Sequence, residues 1–452
     1  MAPEMNSIVS STILSLKSLS VYRRLLEDPL IKKFENLLKA AKSGDPLLSA
    51  EAYCDLLYGL LAKSERALGV GNSFQNLILD LMLEDENPFS LSSERAGKDT
   101  ADHLKKLVKT DLKLLKSVFE FNFEVILSFI KAKLGLDLPS IPINREPKGN
   151  KFPYPEYYYR EKYNLKQKLE TSTGWENFVD DLAEFYKKVG CGIFGKYWAF
   201  RVKEKDGKLD LIGIAEPDPI RIHDIIGYEE QKMEVLRNTE QFVKGFKANN
   251  VLLYGDRGTG KSSTVKAMLH EFGERGLRIV EVLKYQLTCL PQIISLLRTR
   301  PQRFIVFIDD LSFEEHETEY KYLKAILEGS LEKTPENLLI YATSNRRHIV
   351  KEFTKDRTDE LKPKDTVQEK LSLSDRFGIT VVFPSPDQEA YLEIVEGIAK
   401  KRGINLDGET LRKLALRWEL WNNQRSGRTA RQFIDDLEGR LASGKLLNQQ
   451  DY

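Results

Sequence analysis

Gly255-Asp256-Arg257-Gly258-Thr259-Gly260-Lys261-Ser262 fits the pattern G-x-x-x-x-G-K-[ST] at every position. Val251-Leu252-Leu253-Tyr254, just before it, reads as a short buried strand, and residues 263–273, just after it, read as a helix. That strand–loop–helix setting separates a phosphate-binding loop from a chance glycine-rich turn. The residue types explain the chemistry. Glycines let the backbone turn tightly, so that successive N–H groups converge on phosphate oxygens. A helix starting at the loop adds the positive end of its dipole. Lys261 supplies a compact positive charge for the β- and γ-phosphates, and the Ser262 hydroxyl is a hard oxygen ligand suited to Mg²⁺.

Working outward, residues 251–254, 277–283, 304–308, 338–342 and 379–383 form five strand candidates. Most are near-continuous apolar runs, the pattern of a parallel sheet covered on both faces. Helical stretches separate them, which predicts right-handed crossovers and a three-layer α/β module with a five-stranded parallel sheet. After Pro384 the chain reads as helical to its end, over residues 388–402, 408–421 and 428–441.

Polar residues collect at the strand ends. The run Phe304-Ile305-Val306-Phe307-Ile308 closes on Asp309-Asp310, 48 positions after Lys261. Paired aspartates can be a simple turn, but a carboxylate ending an apolar strand downstream of a phosphate loop is the usual Mg²⁺ partner, here Asp309. Asp310 stands where a base or water-orienting group is needed. Asn345, after Ala342-Thr343-Ser344, is placed to hold an attacking water or to touch the γ-phosphate. Arg376, in Ser374-Asp375-Arg376-Phe377-Gly378, is placed to enter a neighbouring subunit's site and offset transition-state charge. Arg431, or alternatively Arg428, at the start of the last helix can reach back to the phosphates.

This ordered set resembles the AAA+ ATPases over residues 222 to the end. Residues 222–228, Ile226 and Gly227 among them, look like the segment that cradles adenine. Residues 255–262 and 304–310 are similar to Walker A and Walker B. Asn345 matches sensor 1, Arg376 the arginine finger and Arg431 sensor 2. More narrowly, residues 342–347, 371–378 and 426–433 look like bacterial AAA+ proteins known only as predicted ATPases with a helical N-terminal region. The resemblance implies ATP and Mg²⁺ as cofactors, a helical lid and a ring-like homo-oligomer. It implies ATP hydrolysis coupled to remodelling of a protein or nucleic-acid client, or, alternatively, an ATP-dependent switch or loader with little turnover. Asp310 departs from the family pattern, which has glutamate there. It is one methylene shorter, and a displacement of ~1 Å in a catalytic group costs on the order of 10²-fold in rate. Slow hydrolysis, partner dependence, or use of Glu314 or Glu315 instead would follow. After the second strand, where translocases carry an aromatic-apolar-glycine loop, Tyr285 has no glycine behind it and reads as a core or capping residue.

The rest of the chain divides by composition. Residues 1–135 read as a helical domain, with one helix over 50–68 presenting Cys54, Leu57, Leu60 and Leu61 on one face and a long helix over 100–134. Its apolar stripes read as bundle core. Residues 136–220 read as an extended Pro/Tyr-rich linker, a helix, and a hairpin of strands 193–203 and 208–214 turning at Asp206-Gly207. The tyrosines pack across a domain surface in the plain reading, or form a partner strip or a single-strand stacking platform in the sharper one. Residues 221–386 are then the nucleotide-binding core and 387–452 the lid. Across 452 residues, 69 Lys plus Arg balance 68 Asp plus Glu, so net charge does not select a nucleic-acid partner. Three scattered cysteines suit buried thiols in a reducing, cytoplasmic setting. No secretory leader and no membrane span are expected.

Overall fold

A computed structural model describes residues 2–64, 69–144, 152–205, 208–313, 319–328, 334–345 and 373–443. The Asp206-Gly207 turn, Glu314, Glu315 and Arg346-Arg347 lie outside the described residues. The chain forms two compact units, Met1–Tyr197 and Trp198–Tyr452. Among the described residues, no helix is long and apolar enough to cross a membrane.

The first unit is helical: α1 (Ala2–Lys17), α2 (Pro29–Ser43), α3 (Pro46–Ser64), α4 (Ser73–Glu84), α5 (Pro88–Ala96), α6 (Asp102–Phe119), α7 (Glu124–Leu134), α8 (Glu156–Thr171), α9 (Val179–Val189) and the short α10 (Gly192–Lys196). Local chemistry sets the boundaries. Asp28 caps α2 ahead of Pro29, and Gly44 ends it at φ +77°, a conformation glycine adopts without strain. The long helix expected over 100–134 is broken in two. Asn122 caps α7 by accepting from Glu124 N at 3.0 Å, and the break turns Phe121 and Phe123 inward. They join Phe34 and Phe74 in a buried cluster with centroids 4.4–5.7 Å apart, spacings that suit edge-on and tilted ring contacts. On α3 the buried face is Tyr53, Leu56 and Leu60, while Cys54 and Leu61 are exposed. The expected face is thus rotated, and of the three thiols only Cys191 is buried.

Residues 156–163, expected as the end of an extended linker, instead form the first half of α8 (Glu156–Thr171). The prolines end at Pro155, immediately before the first turn, where proline does not obstruct a helix. Tyr158 is buried, and Tyr157, Tyr159 and Tyr163 pack partly buried against the same core. The basic residues among them are internally matched. Lys166 Nζ lies 2.6 Å from Asp80 Oδ1 and 2.8 Å from Asn76 Oδ1, and Lys162 Nζ bonds Asp80 and, at 2.5 Å, Glu84 Oε1. Burial pushes the Asp80 carboxyl up, but Lys162 and Lys166 outweigh it and hold it down at about 2. Burial also pushes the Lys166 ammonium down to about 8, with Asp80 opposing. Tyr158, Lys162 and Lys166 thus face the core, while Arg160 stays exposed over the ring of Tyr157 at 5.8 Å.

Among the described residues the second unit holds seven strands: β1 (Ala199–Lys205), β2 (Lys208–Ile214), β3 (Val251–Gly255), β4 (Leu277–Glu281), β5 (Arg303–Ile308), β6 (Leu338–Ser344) and β7 (Ile379–Phe383). They lie in the order β2-β1-β4-β5-β6-β3-β7. The five expected strands are present and mutually parallel, and the hairpin extends their sheet to seven. β1 begins at Ala199 rather than 193, since residues 192–196 form α10. It runs parallel to β4, pairing Ala199 with Ile279 and Phe200 with Val280, and antiparallel to β2. The hairpin therefore belongs to the α/β unit, not to the segment before it. Pairing with β4 satisfies the backbone of β1 along one edge, and Phe200, Val202 and Leu211 are buried.

Helices α11 (Glu229–Val243), α12 (Lys261–Phe272), α13 (Leu290–Arg298) and α14 (Tyr320–Glu328) accompany the sheet. From β3 the chain crosses to β4, then steps back through β5 and β6. With right-handed crossovers, that reversal puts α12 on one face and α13 and α14 on the other. The lid follows as α15 (Gln388–Lys401), α16 (Gly408–Asn422) and α17 (Gly427–Ala442), within two residues of expectation, around its own core of Tyr391, Leu414 and Phe433. The α/β module with helical lid is thus the observed fold class, with a helical unit before it in the chain.

Candidate functional site

The phosphate loop joins the end of β3 to α12 at the carboxyl edge of the sheet, beside the point where strand order reverses, the usual ligand crevice of such sheets. Three of its glycines are required by geometry. Gly255 has φ +144°, and a Cβ there would come 1.9 Å from Phe383 O. Gly258 (φ +77°) would meet Ser426 Oγ at 2.8 Å, and Gly260 (φ +95°) opens α12. The loop can pass this close to β7 and to the lid only without side chains at those positions.

A cleft of about 570 Å³ opens over the loop. Its lining includes residues 257–262 of the loop, together with Ile226, Asp309, Asp310, Asn345, Arg428 and Arg431. Gly255 and Asp256 form the root of the loop, and Gly227 lies in the adjoining groove beside Pro384. Lys261 Nζ donates to Gly255 O at 2.7 Å, Asp256 O at 2.6 Å and Asn345 Oδ1 at 3.2 Å. Burial pushes its ammonium below the ordinary lysine value, against the pull of Asp256, Asp309 and Asp310.

Opposite the lysine, Ser262 Oγ donates to Asp309 Oδ1 at 2.6 Å and Thr343 Oγ1 to the same oxygen at 2.5 Å. Asp310 N donates to Thr343 Oγ1 at 2.9 Å. Asp310 has φ +50°, a left-handed conformation that aspartate tolerates better than most residues, and its Oδ1 accepts from Asn345 Nδ2 at 2.6 Å. Thr343 and Asn345 are two apart at the end of β6, so the pleat sends both side chains the same way. Together, the Ser262 hydroxyl, the Asp309 carboxylate and the Thr343 hydroxyl are hard oxygen donors converging beside the loop. They fit Mg²⁺, a cation that keeps several waters and takes only one or two carboxylates.

Lid contacts complete the cleft. Arg428 N donates to Gly258 O at 3.2 Å, Gln424 Nε2 to Arg257 O at 3.3 Å, and Ser385 Oγ bonds Asp256 Oδ2. Ile394 and Ile398 of α15 line it together with Ile225 and Ile226, and Ile226 packs against the lid core. Both arginines expected as alternatives, Arg428 and Arg431, are therefore present. Arg376 is not among the lining residues of its own chain's cleft. It is exposed, with Nη2 3.1 Å from Glu328 Oε1. Tyr285, expected as a core or capping residue, is 70% exposed beside the half-exposed Leu283. It sits in a 3-10 turn at residues 284–289, where only Gln286 and Leu287 face inward.

Several site residues escaped the motif pattern. Thr343 lies inside the quoted strand end, and its role follows only once Asp309 is seen beside it. The α15 isoleucines carried a signal, apolar residues four apart, that a helix core produces equally well.

A family model described as "Protein of unknown function (DUF815)" matches residues 195–441, more than half of the chain and starting just before the hairpin. Among curated proteins, no sequence matches. Of solved structures, the Thermotoga maritima RuvB Holliday junction branch migration motor is 15% identical, aligning 48% of this chain with 72% of its own at a TM-score of 0.32. A point mutant of Thermotoga maritima RuvB is 14% identical over 50% and 75% of the two chains, also at 0.32.

Proposed function

We propose that the chain, which belongs to the DUF815 family of proteins of unknown function, binds ATP in the cleft over residues 257–262 and hydrolyses it to remodel a protein or nucleic-acid complex. One observation carries this reading. Lys261, Ser262, Asp309, Asp310, Thr343 and Asn345 form one continuous hydrogen-bonded set on the cleft wall.

The loop backbone N–H groups and the α12 dipole bind the phosphates. Lys261 leaves its carbonyl partners to meet the γ-phosphate. Ser262 and Asp309 would hold Mg²⁺, which when bound neutralises charge on the β- and γ-oxygens. Asp310 accepts a proton from the attacking water at its carboxylate while Asn345 orients that water. Arg428 and Arg431 bring positive charge from the lid. Arg376, exposed and outside its own cleft, serves the site of a second copy in a homo-oligomer. Exposed Tyr285 and Leu283 supply a client-facing contact.

A second reading, an ATP-dependent switch with little turnover, is favoured by the short Asp310 side chain and by Asn345 already holding it. ATP hydrolysis measured across a protein concentration series separates the two. The motor reading requires a rate that rises more than linearly with protein, is abolished in Lys261→Ala and Asp310→Asn, and loses its concentration dependence in Arg376→Ala. ATP binding that depends on Lys261, with no turnover at any concentration, would select the switch.

A further inference from the structure

The cleft has two chemically different ends, and one lid helix spans both. Arg428, Arg431, Gln432 and Asp435 occur on α17 at successive steps of three, one and three residues, so they share a face, and all four line the cleft. Arg428 marks the phosphate end, with its N–H on Gly258 O. Asp435 is seven residues further, ~10 Å along the helix axis.

At that far end the neighbouring wall is apolar. Ile394 and Ile398 lie on α15, and Arg402 follows them at the same four-residue step just past the helix end. Arg402 Nη1 lies 2.5 Å from Asp435 Oδ1 and 2.9 Å from Glu438 Oε2. One carboxylate oxygen of Asp435 is thus oriented by a guanidinium, which leaves the other for donors in the cleft. The other cleft carboxylate at this end, Asp224, accepts from Arg221 N at 2.9 Å and lies 3.1 Å from Lys401 Nζ. It immediately precedes Ile225 and Ile226, in the segment that the resemblance assigns to the base.

A carboxylate serves no phosphate, since like charges repel. It serves hydroxyl donors, and between the triphosphate and the base a nucleotide offers the ribose 2′ and 3′ hydroxyls. Resting on the nucleotide reading above, we propose that Asp435 reads the ribose, accepting from those hydroxyls. The helix that contacts the phosphate loop through Arg428 then also selects ribonucleotides over deoxyribonucleotides.

Equilibrium binding of ATP, 2′-deoxy-ATP and 3′-deoxy-ATP to the full-length protein, with Mg²⁺, tests this in the wild type, Asp435→Asn and Asp435→Ala. The wild type should bind ATP about tenfold or more tightly than at least one deoxy analogue, the scale of a hydrogen bond to a charged acceptor. In Asp435→Ala that ratio should fall toward one, through loss of ATP affinity with little change for the analogue. Equal loss for all three nucleotides would reduce Asp435 to a lid ion pair and overturn the proposal. So would a wild type that does not discriminate among them, with the nucleotide reading left intact. A wild type that binds none of the three would instead overturn the nucleotide reading itself, and this one with it.

Discussion

Thr343 joins the two aspartates at the end of β5: its hydroxyl donates to Asp309 and accepts from Asp310 N. Valine has the same shape but offers neither bond. Thr343→Val should therefore leave ATP binding within about threefold and lower turnover on the order of 10²-fold, because Asp310 loses the partner that fixes its left-handed backbone. Turnover that is unchanged in steady-state assays would remove Thr343 from the positioning of Asp310. Motif spacing located Asp309, Asp310 and Asn345, since chemistry restricts those residue types at strand ends. It was silent on Thr343, whose part depends on two strands lying side by side.

Among elements, α8 differs most from its sequence reading, and its buried lysines are not equivalent. Lys162 bonds both Asp80 and Glu84, whereas Lys166 is a second cation on Asp80 that burial disfavours. Lys162→Met should destabilise the protein by about 3 kcal/mol or more, through the uncompensated carboxylates it leaves. Lys166→Met should cost less, about 1 kcal/mol or nothing, because Lys162 still answers Asp80. Chemical unfolding followed by circular dichroism compares them, and an equal loss in both would refute the asymmetry. Acid sensitivity follows from the same cluster. The folded-state pKa of Asp80, about 2, lies below the ordinary 3.8. Its contribution is therefore present above about pH 4 and is lost as pH falls toward 2. That difference is about 2 kcal/mol. A melting temperature that falls over that window in the wild type, and less steeply in Asp80→Asn, is the expected result.

For the molecule as a whole, the decisive fact is that the β1–β2 hairpin completes the sheet of the α/β unit. A fragment of residues 198–452 should be soluble and melt cooperatively. A fragment of residues 221–452, cut where composition suggests a boundary, would strip two strands and uncover the side of β4 that pairs with β1. It should aggregate, as exposed sheet edges do. Expression of both fragments, followed by size-exclusion chromatography and thermal melting, decides it. Equal behaviour of the two would make the hairpin dispensable.

By itself the sequence determined the glycine-rich loop, the presence of five parallel strands, the three C-terminal helices and most polar residues of the cleft. Those features arise from local rules: glycine where φ is positive, apolar runs where a strand is buried, carboxylates and amides at strand ends. Tertiary structure alone decided what depends on partners distant in the chain. It placed the hairpin beside β4, turned Phe121 and Phe123 into one aromatic cluster with Phe34 and Phe74, and buried the α8 lysines against α4. It also left Tyr285 and Arg376 exposed. Periodicity marks which residues can be buried, but the partner that buries them is selected by the whole chain's packing, and no local pattern encodes that choice.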